Sequence, residues 1–421
     1  MYKKGINMLK KRDESISTGN DLPPIHLYPA QPLPLEDPDI TLSVICKLIA
    51  SGQADSKASL GRLTGLSRTT VSSRVEYLER KGIVASEGVI AAKRGRPASR
   101  LVISDDLGLL AIGDIGAEHT IIAIADMNLC LLGYRRMHIK VGEHEPAELL
   151  EQVGLDMKSM AQELRPGAHL CHCALAFPGR IDNKIRRFFR PPIMPAWDMY
   201  NAQKKMSTIM GCSVSIDNDV NVRALGEAAV LPGNERPIVA VKIATGIGAG
   251  IICARDRILH GYDGSAGEIG HTCFDPNNTR PCRCGMTGCL EANAAVPAII
   301  EAYNSRGPQQ RIESVEDLID CLRSGDAIAH ELVVAAGSSV GQAIAYVCNI
   351  LNPRRVIVSG LLVDSCDELL TQIRTSVYGL TRPLASRNLV VERSSIGPLA
   401  GVVGCMVKGV SETLSPEAMA W

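Results

Sequence analysis

Two stretches of this chain use the same device: a short apolar strand, a tight glycine turn and a second apolar strand running back. The first is "LLAIGDIGAEHTIIAIAD" from Leu109, and the second is "PIVAVKIATGIGAGIICARDRILHG" from Pro237, about 130 residues later. Such runs are short and rich in β-branched residues, and their glycines supply the turns, so they read as strands. In each half a further strand is expected to follow, "LCLLGYRRMHI" after the first device and the end of the second quoted stretch after the other. Beyond them the pattern alternates. A helix spans about 147–164, then come the strands "LCHCALAF" and "SVSIDND" and a helix opening at Val220. The second half has a helical stretch over 327–351, the strand "RVIVSG", a helix from Asp364, the strand "NLVVE" and a helix from Leu399. Strands alternating with helices build α/β layers around a parallel sheet. The repetition predicts two related α/β halves with a cleft between them. Aromatic residues make up only 4% of the chain, so both cores must be mostly aliphatic.

The N-terminal part has a different texture. Residues 1–39 end in the Pro-rich "DLPPIHLYPAQPLPLEDPD" and predict a disordered tail. From Ile40 to Ser104 the order is helix, helix, turn, helix and two strands around a basic loop, which is a winged helix-turn-helix. Net charge is zero overall, yet residues 40–104 hold eleven Lys/Arg against four Asp/Glu, so the remainder is acidic. A basic module on an acidic body predicts a polyanion-binding head, and so a DNA-binding domain over 40–104. Ser67, Arg68, Thr69, Thr70, Ser73 and Arg74 fall on the outer face of the recognition helix, with Ser67 also suited to cap it. The loop "KRGRPASR" adds Lys93, Arg94 and Arg96, the last held extended by Pro97 and shaped for a narrow minor groove. The opening "MYKKGINMLKKRDES" leads into no apolar segment and no run approaches eighteen apolar residues, which predicts neither a secretory signal nor a membrane span. Fourteen cysteines are then expected to be reduced thiols of a cytoplasmic protein.

Three constellations carry chemistry. In "HTCFDPNNTRPCRCGMTGCLE", His271, Cys282, Cys284 and Cys289 make a Cys₃His set, with Gly285 and Gly288 allowing the tight turns that convergence requires. Four protein ligands close a tetrahedron, so a metal here orders a loop rather than activating water. Cys273 lies too close to His271 in sequence and is left out of the set. Glu268 precedes His271 by three residues and Glu291 follows Cys289 by two, so the loop aims carboxylates and an imidazole edge at the cleft. Such groups suit vicinal hydroxyls, because each oxygen accepts from a separate O–H. In "IDNDVNVRALGE", Asn218 and Asp219 stand where a strand ends and a helix opens, where they face ligand or cap the helix. An aspartate there can serve as a general base. Finally, "TGIGAG" offers backbone N–H groups of the kind that approach a phosphate.

Taken together, "GEIGHT" with "CRCGMTGCLE", "NDVN…GE", "TGIGAG" and the N-terminal winged helix resemble the ROK family, named for repressors, open reading frames and sugar kinases. The resemblance covers about residues 40–410. It implies an actin-like, hexokinase-like (ribonuclease H-like) duplicated α/β body over 105–421, with a zinc loop over 271–289. It implies structural Zn²⁺ on His271, Cys282, Cys284 and Cys289, and sugar contacts from Asn218, Asp219, Glu268, His271 and Glu291. In family kinases the residue matching Asp219 is the base. This chain departs from them at the phosphate side: "DIGAEHT" keeps Asp114 and Gly116 but has Ala117 and Glu118 where kinases have glycine and threonine, and "VSGLLV" lacks a glycine pair. A carboxylate facing a triphosphate repels it. Asp114, Gly116, Thr245, Gly246 and Gly248 are therefore read as vestigial phosphate loops and Asp219 as a vestigial base, with no catalytic residue. Ile193 also stands where many members have Asn near the sugar. The expectation is a sugar-responsive transcriptional repressor of carbohydrate-utilisation genes, not an enzyme. It would bind operator DNA and a sugar or sugar phosphate, as a homodimer or homotetramer. The alternative is an active sugar kinase with an appended DNA-binding domain.

Overall fold

Asp37 opens the first described helix, its carboxylate accepting from the N–H groups of Asp39 and Ile40 just ahead of an apolar run. The structure is a computed structural model, and it describes residues 16–19, 21–27, 37–90, 98–182, 184–253, 257–274, 277–308 and 310–419. The chain divides into two units. One comprises Met1–Val222, Ala229–Leu231 and Gly401–Trp421; the other comprises Arg223–Ala228 and Pro232–Ala400.

In the first unit the head forms as the periodicity predicts. Helix α1 (Pro38–Ala50) is followed by α2 (Lys57–Thr64), which is held by a reciprocal Ser56–Ser59 capping box and ends at left-handed Gly65. Helix α3 (Arg68–Arg80) starts at Ser67, whose hydroxyl accepts from the Thr70 N–H at 3.1 Å. Strands β1 (Val84–Ile90) and β2 (Ala98–Ile103) pair antiparallel as the wing. Lys93, Arg94 and Arg96 lie outside the described residues. The head is docked on the rest of its unit at both ends. The Ser43 hydroxyl of α1 donates to the Leu414 carbonyl, and the Asn128 side chain makes a two-way bond to the backbone of Ile103 at 2.8 and 2.9 Å.

The body of this unit is a five-stranded sheet. Its strands are β3 (Leu109–Ile115), β4 (His119–Asp126), β5 (Leu131–His138), β6 (Leu170–Phe177) and β9 (Ser213–Asn218), in the order β5-β4-β3-β6-β9. Helix α4 (Pro146–Leu164) and, beyond the small hairpin β7 (Ile181–Asp182) and β8 (Arg187–Phe188), helix α5 (Ala202–Met210) cover it with an aliphatic face. Three aromatics form a cluster: Phe177, Phe188 of the hairpin and Trp197 pack with ring centroids 5.1–5.5 Å apart. Ile193 packs against this core. Helix α6 (Asp219–Ala229) leads into the second unit.

Part of the segment expected to be a disordered tail is placed on the first unit. Ser17 exchanges backbone bonds with Tyr134 of β5 at 3.0 and 2.9 Å, Ile25 and Leu27 are buried, and the His26 N–H meets the Ala229 carbonyl. An edge strand offers unpaired ladder groups, and a sparse set of apolar residues is enough to fix a strap there without any visible periodicity.

The second unit repeats the topology. Strands β10 (Ile238–Ile243) and β11 (Ile247–Ile252) form the hairpin, and β12 (Arg355–Ser359) and β13 (Val390–Arg393) add in parallel, in the order β11-β10-β12-β13. The strand expected after β11 does not form among the described residues; a single bridge joins Ile252 to Ile258. Between these strands lie α7 (Leu290–Ala294), α8 (Val296–Ser305), α9 (Val315–Arg323), α10 (Ala327–Leu351), α11 (Leu361–Ser365) and α12 (Asp367–Leu380). The short α13 (Pro383–Ser386) precedes β13. By length and composition α10 could cross a membrane, but half of its most apolar window is buried, packed into the aliphatic core of this unit. The chain ends in α14 (Ala400–Thr413) and α15 (Pro416–Met419).

Candidate functional site

The "GEIGH" segment is shaped by contact with β11. A Cβ on Gly267 would stand 1.9 Å from the Ala249 carbonyl oxygen, and one on Gly270 would stand 2.0 Å from that of Ile247. Only glycine permits such close backbone approach. The one-turn helix Ile269–His271 is thereby pressed onto β11, leaving Glu268 and His271 half-buried beside it. From there the chain runs to a loop in which Gly285 and Gly288 adopt left-handed φ values of 91° and 70°. Isolated backbone β-bridges, Cys273 to Cys289 and Pro281 to Thr287, close this loop.

These turns bring four of the predicted ligands together. One donor atom from each of His271, Cys282, Cys284 and Cys289 lies within 4.8 Å of the others. Cys282 Sγ is 3.7 Å from His271 Nδ1, and Cys284 Sγ is 3.7 Å from Cys289 Sγ. A tetrahedral ion with metal–sulfur bonds of about 2.3 Å has sulfur–sulfur edges of about 3.8 Å, so the cluster fits a tetrahedral, sulfur-loving cation. Burial, with Cys284 and Cys282 alongside, pushes the Cys289 thiol up to about 12, and burial also raises that of Cys282. A cation would remove that penalty by binding the thiolates. Cys273 is exposed and stands outside the group.

His271 divides its two nitrogens. With Nδ1 turned toward Cys282, Nε2 lies 3.7 Å from a Glu268 oxygen. Glu291, in the first turn of α7, accepts from the Ile247 N–H at 3.0 Å, and its carboxylate fills the space a Cβ on Gly246 would need. The "TGIGAG" turn that carries Thr245, Gly246 and Gly248 is therefore braced by a carboxylate.

Asn218 and Asp219 sit in the first unit, at the junction of β9 and α6. Asn218 uses its carbonyl oxygen to cap Val220 at 3.1 Å and donates its amide to the Gly179 carbonyl at 2.9 Å. Capping is thus a true role for Asn218, alongside any ligand contact. Asp219 is buried. Beneath them Asp217 accepts from the Asn218 N–H at 2.8 Å and from the Lys408 ammonium at 3.2 Å, and Lys408 also meets Glu412 at 3.1 Å. Burial lowers the Lys408 value, but Asp217 and Glu412 outweigh it and hold the ammonium above the ordinary lysine range. Lys408 escaped the sequence reading, although a single charge inside "GVVGCMVKGV" is a visible signal.

On the side read as a first phosphate loop, Gly116 makes the tight β3–β4 turn with His119 at 2.8 Å. Asp114 is buried with its carboxylate against Gly401, at the start of α14, where the positive end of a helix favours an anion. Glu118 is exposed. In the head, Ser67, Arg68, Thr69 and Ser73 are exposed and Thr70 and Arg74 half-exposed, with Val71, Val75 and Leu78 buried on the opposite face. The Ser67 hydroxyl is engaged with Thr69 and Thr70 as well as capping the helix.

Comparison with known proteins gives one consistent picture. The ROK family profile matches residues 110–408. A putative xylose repressor of Caldicellulosiruptor sp. strain Rt8B.4 is 26% identical over 385 residues, covering 88% of this chain and 96% of that protein. A glucokinase of Halalkalibacterium halodurans is 31% identical over 261 residues, covering 59% of this chain and 78% of that one. Among solved structures, a ROK family transcriptional regulator homologous to the Escherichia coli MLC protein superposes with a TM-score of 0.75 at 23% identity. That alignment covers 91% of this chain and 98% of the other and shows a common fold.

Proposed function

Since the chain belongs to the ROK family, we propose that it is a sugar-responsive, DNA-binding transcriptional repressor of carbohydrate-utilisation genes, held in order by a structural zinc ion. The observation that carries this reading is the head. An exposed, polar and cationic face of α3 stands on a helix-turn-helix scaffold with a two-stranded wing, the form that enters a major groove. Ser67, Arg68, Thr69, Thr70, Ser73 and Arg74 supply DNA contacts, with Lys93, Arg94 and Arg96 from the wing.

The effector is a sugar or sugar phosphate, with contacts proposed from Asn218, Asp219, Glu268, His271 and Glu291. Zinc on His271, Cys282, Cys284 and Cys289 fixes the loop that carries the last three. A xylose repressor among the relatives supports this class of effector. The protein acts in the cytoplasm as a homodimer or homotetramer, because winged helices read paired half-sites.

The test is fluorescence anisotropy on the DNA upstream of its own gene, with and without D-xylose, D-glucose and their phosphates. Saturable, specific binding that one sugar alters by fivefold or more is expected. Specific binding that no sugar changes, or no specific binding at all, overturns the reading.

A second reading, a sugar kinase, is favoured by the glucokinase relative and by retained Asp219. It is opposed by Glu118, exposed at the β3–β4 turn. Sugar-dependent ATP consumption would establish it.

A further inference from the structure

The first unit contains a continuous set of contacts from the Asn218–Asp219 corner to the head, and nearly all of it belongs to α14. At its start, Gly401 lies against the Asp114 carboxylate, and a Cβ on Gly404 would stand 1.8 Å from the Val222 carbonyl oxygen of α6. In its middle, Lys408 is bonded to Asp217, which in turn holds the Asn218 N–H. One turn on, Glu412 bonds Lys408 and lies 3.7 Å from His172, whose ring is fixed by Ser213 at 2.7 Å and Ser215 at 2.9 Å. Just beyond the helix end, the Leu414 carbonyl accepts from buried Ser43 of α1.

A helix rises about 1.5 Å per residue, so the span from Gly401 to Leu414 is about 20 Å of rigid rod. Glycine contacts at its start and a buried ion pair in its middle leave little room for it to move independently of β9 and α6. A displaced close-packed element shifts as a body rather than yielding locally.

We infer that α14 is the element that conveys occupancy of the Asn218–Asp219 corner to the DNA-binding head, with Lys408 as the positioning residue at the effector end and Ser43 as the contact at the head end. This inference rests on the repressor reading. It adds which residues transmit the signal. The Asn128–Ile103 contact also docks the head, but it comes from the β4–β5 turn and makes no contact with α14 among those described, so it serves as the control.

The experiment uses the full chain with zinc and the upstream DNA, and takes whichever of D-xylose, D-glucose or their phosphates alters binding in the unaltered protein. Sugar affinity is measured by calorimetry, and DNA affinity with and without sugar by anisotropy. Ser43→Ala is expected to keep sugar affinity within about twofold while cutting the sugar-induced change in DNA affinity about fivefold or more. Asn128→Ala is expected to keep that change intact. Lys408→Met is expected to weaken both sugar binding and its effect on DNA, and Lys408→Arg to restore them. A full sugar effect in Ser43→Ala overturns the inference, as does an equal loss in Asn128→Ala, which would mean that any loosening of the head suffices. No sugar effect in the unaltered chain overturns the repressor reading beneath it.

Discussion

Glu227 gives a stability prediction whose size follows from its surroundings. It is buried in the second unit, where the Ser394 hydroxyl donates to it at 2.5 Å. Burial raises its value from the usual 4.5 to about 7, against the opposing pull of Ser394 and Arg223. The folded state therefore holds this proton over a range where the unfolded chain has released it. A raised acid makes folding less favourable as pH rises, with the loss beginning near 4.5 and complete above 7. At 1.36 kcal/mol per unit, the full loss is about 3 kcal/mol, of which about 2 kcal/mol falls between pH 5.5 and pH 8. For a unit of this size that is a fall in Tm of about 4–8 °C. Glu227→Gln keeps an acceptor for Ser394 and cannot ionise. The assay is thermal unfolding at both pH values for the two proteins. The variant should lose this part of the pH dependence and be the more stable of the two at pH 8. Equal pH slopes in both would refute the assignment of Glu227 as a buried acid that keeps its proton.

Three further outcomes are expected. Cys284→Ser should abolish stoichiometric zinc, measured as one ion per chain by elemental analysis in the unaltered protein, and should lower sugar affinity; retention of full zinc would remove Cys284 from the ligand set. Arg68→Ala should weaken DNA binding by about 1–3 kcal/mol, roughly 5- to 150-fold, with sugar affinity unchanged; an unchanged DNA affinity would take Arg68 out of the interface. Gly267→Ala should destabilise the second unit, because its Cβ would stand 1.9 Å from the Ala249 carbonyl oxygen. A clash with backbone cannot be relieved by a side-chain rotation, and an unchanged Tm would show that the contact is looser than described.

The features most legible in the sequence were those in which local pattern and long-range contact agree. The β3–β4 and β10–β11 hairpins are apolar runs punctuated by glycine, and β3, β4 and β10 lie inside their sheets while β11 forms an edge. The His271, Cys282, Cys284 and Cys289 cluster was legible because donor type and glycine spacing both point to convergence. What escaped depended on partners remote in sequence. Ile25 and Leu27 are two apolar residues in a Pro-rich stretch, and nothing local says that Ser17 will bond β5 or that His26, between them, will bond the end of α6. Among the described residues, the strand expected after β11 shortens to the Ile252–Ile258 β-bridge and its flanking bonds, Cys253 N–H to the Arg257 carbonyl and Leu259 N–H to the Ile251 carbonyl. Gly246 reads as a phosphate-binding glycine until Glu291, 45 positions on, is found occupying the space beside it.

The two uses of His271 bear on how metal and effector relate in the proposed function. An imidazole bound to zinc through Nδ1 is fixed as the tautomer with its proton on Nε2, and that nitrogen can then only donate. Nε2 lies 3.7 Å from a Glu268 oxygen, so in the proposed function a sugar hydroxyl seated beside the pair, about 2.8 Å from each, would accept from the imidazole and donate to the carboxylate. Without the metal, the proton can move to Nδ1 and the hydroxyl loses its donor, while Cys282, Cys284 and Cys289 no longer hold the loop. In the proposed function a zinc ion would thus set the chemical polarity of the sugar contact as well as the shape of the loop. A His271→Gln variant separates the two effects poorly, because it removes both. Glu268→Gln separates them: it leaves all four ligands in place, so zinc should be retained in full while sugar affinity falls by at least tenfold, the cost of a hydrogen bond to a charged group. Retained zinc with unchanged sugar affinity would break the argument at the carboxylate. Lost zinc would show that Glu268 holds His271 for the metal instead of the sugar.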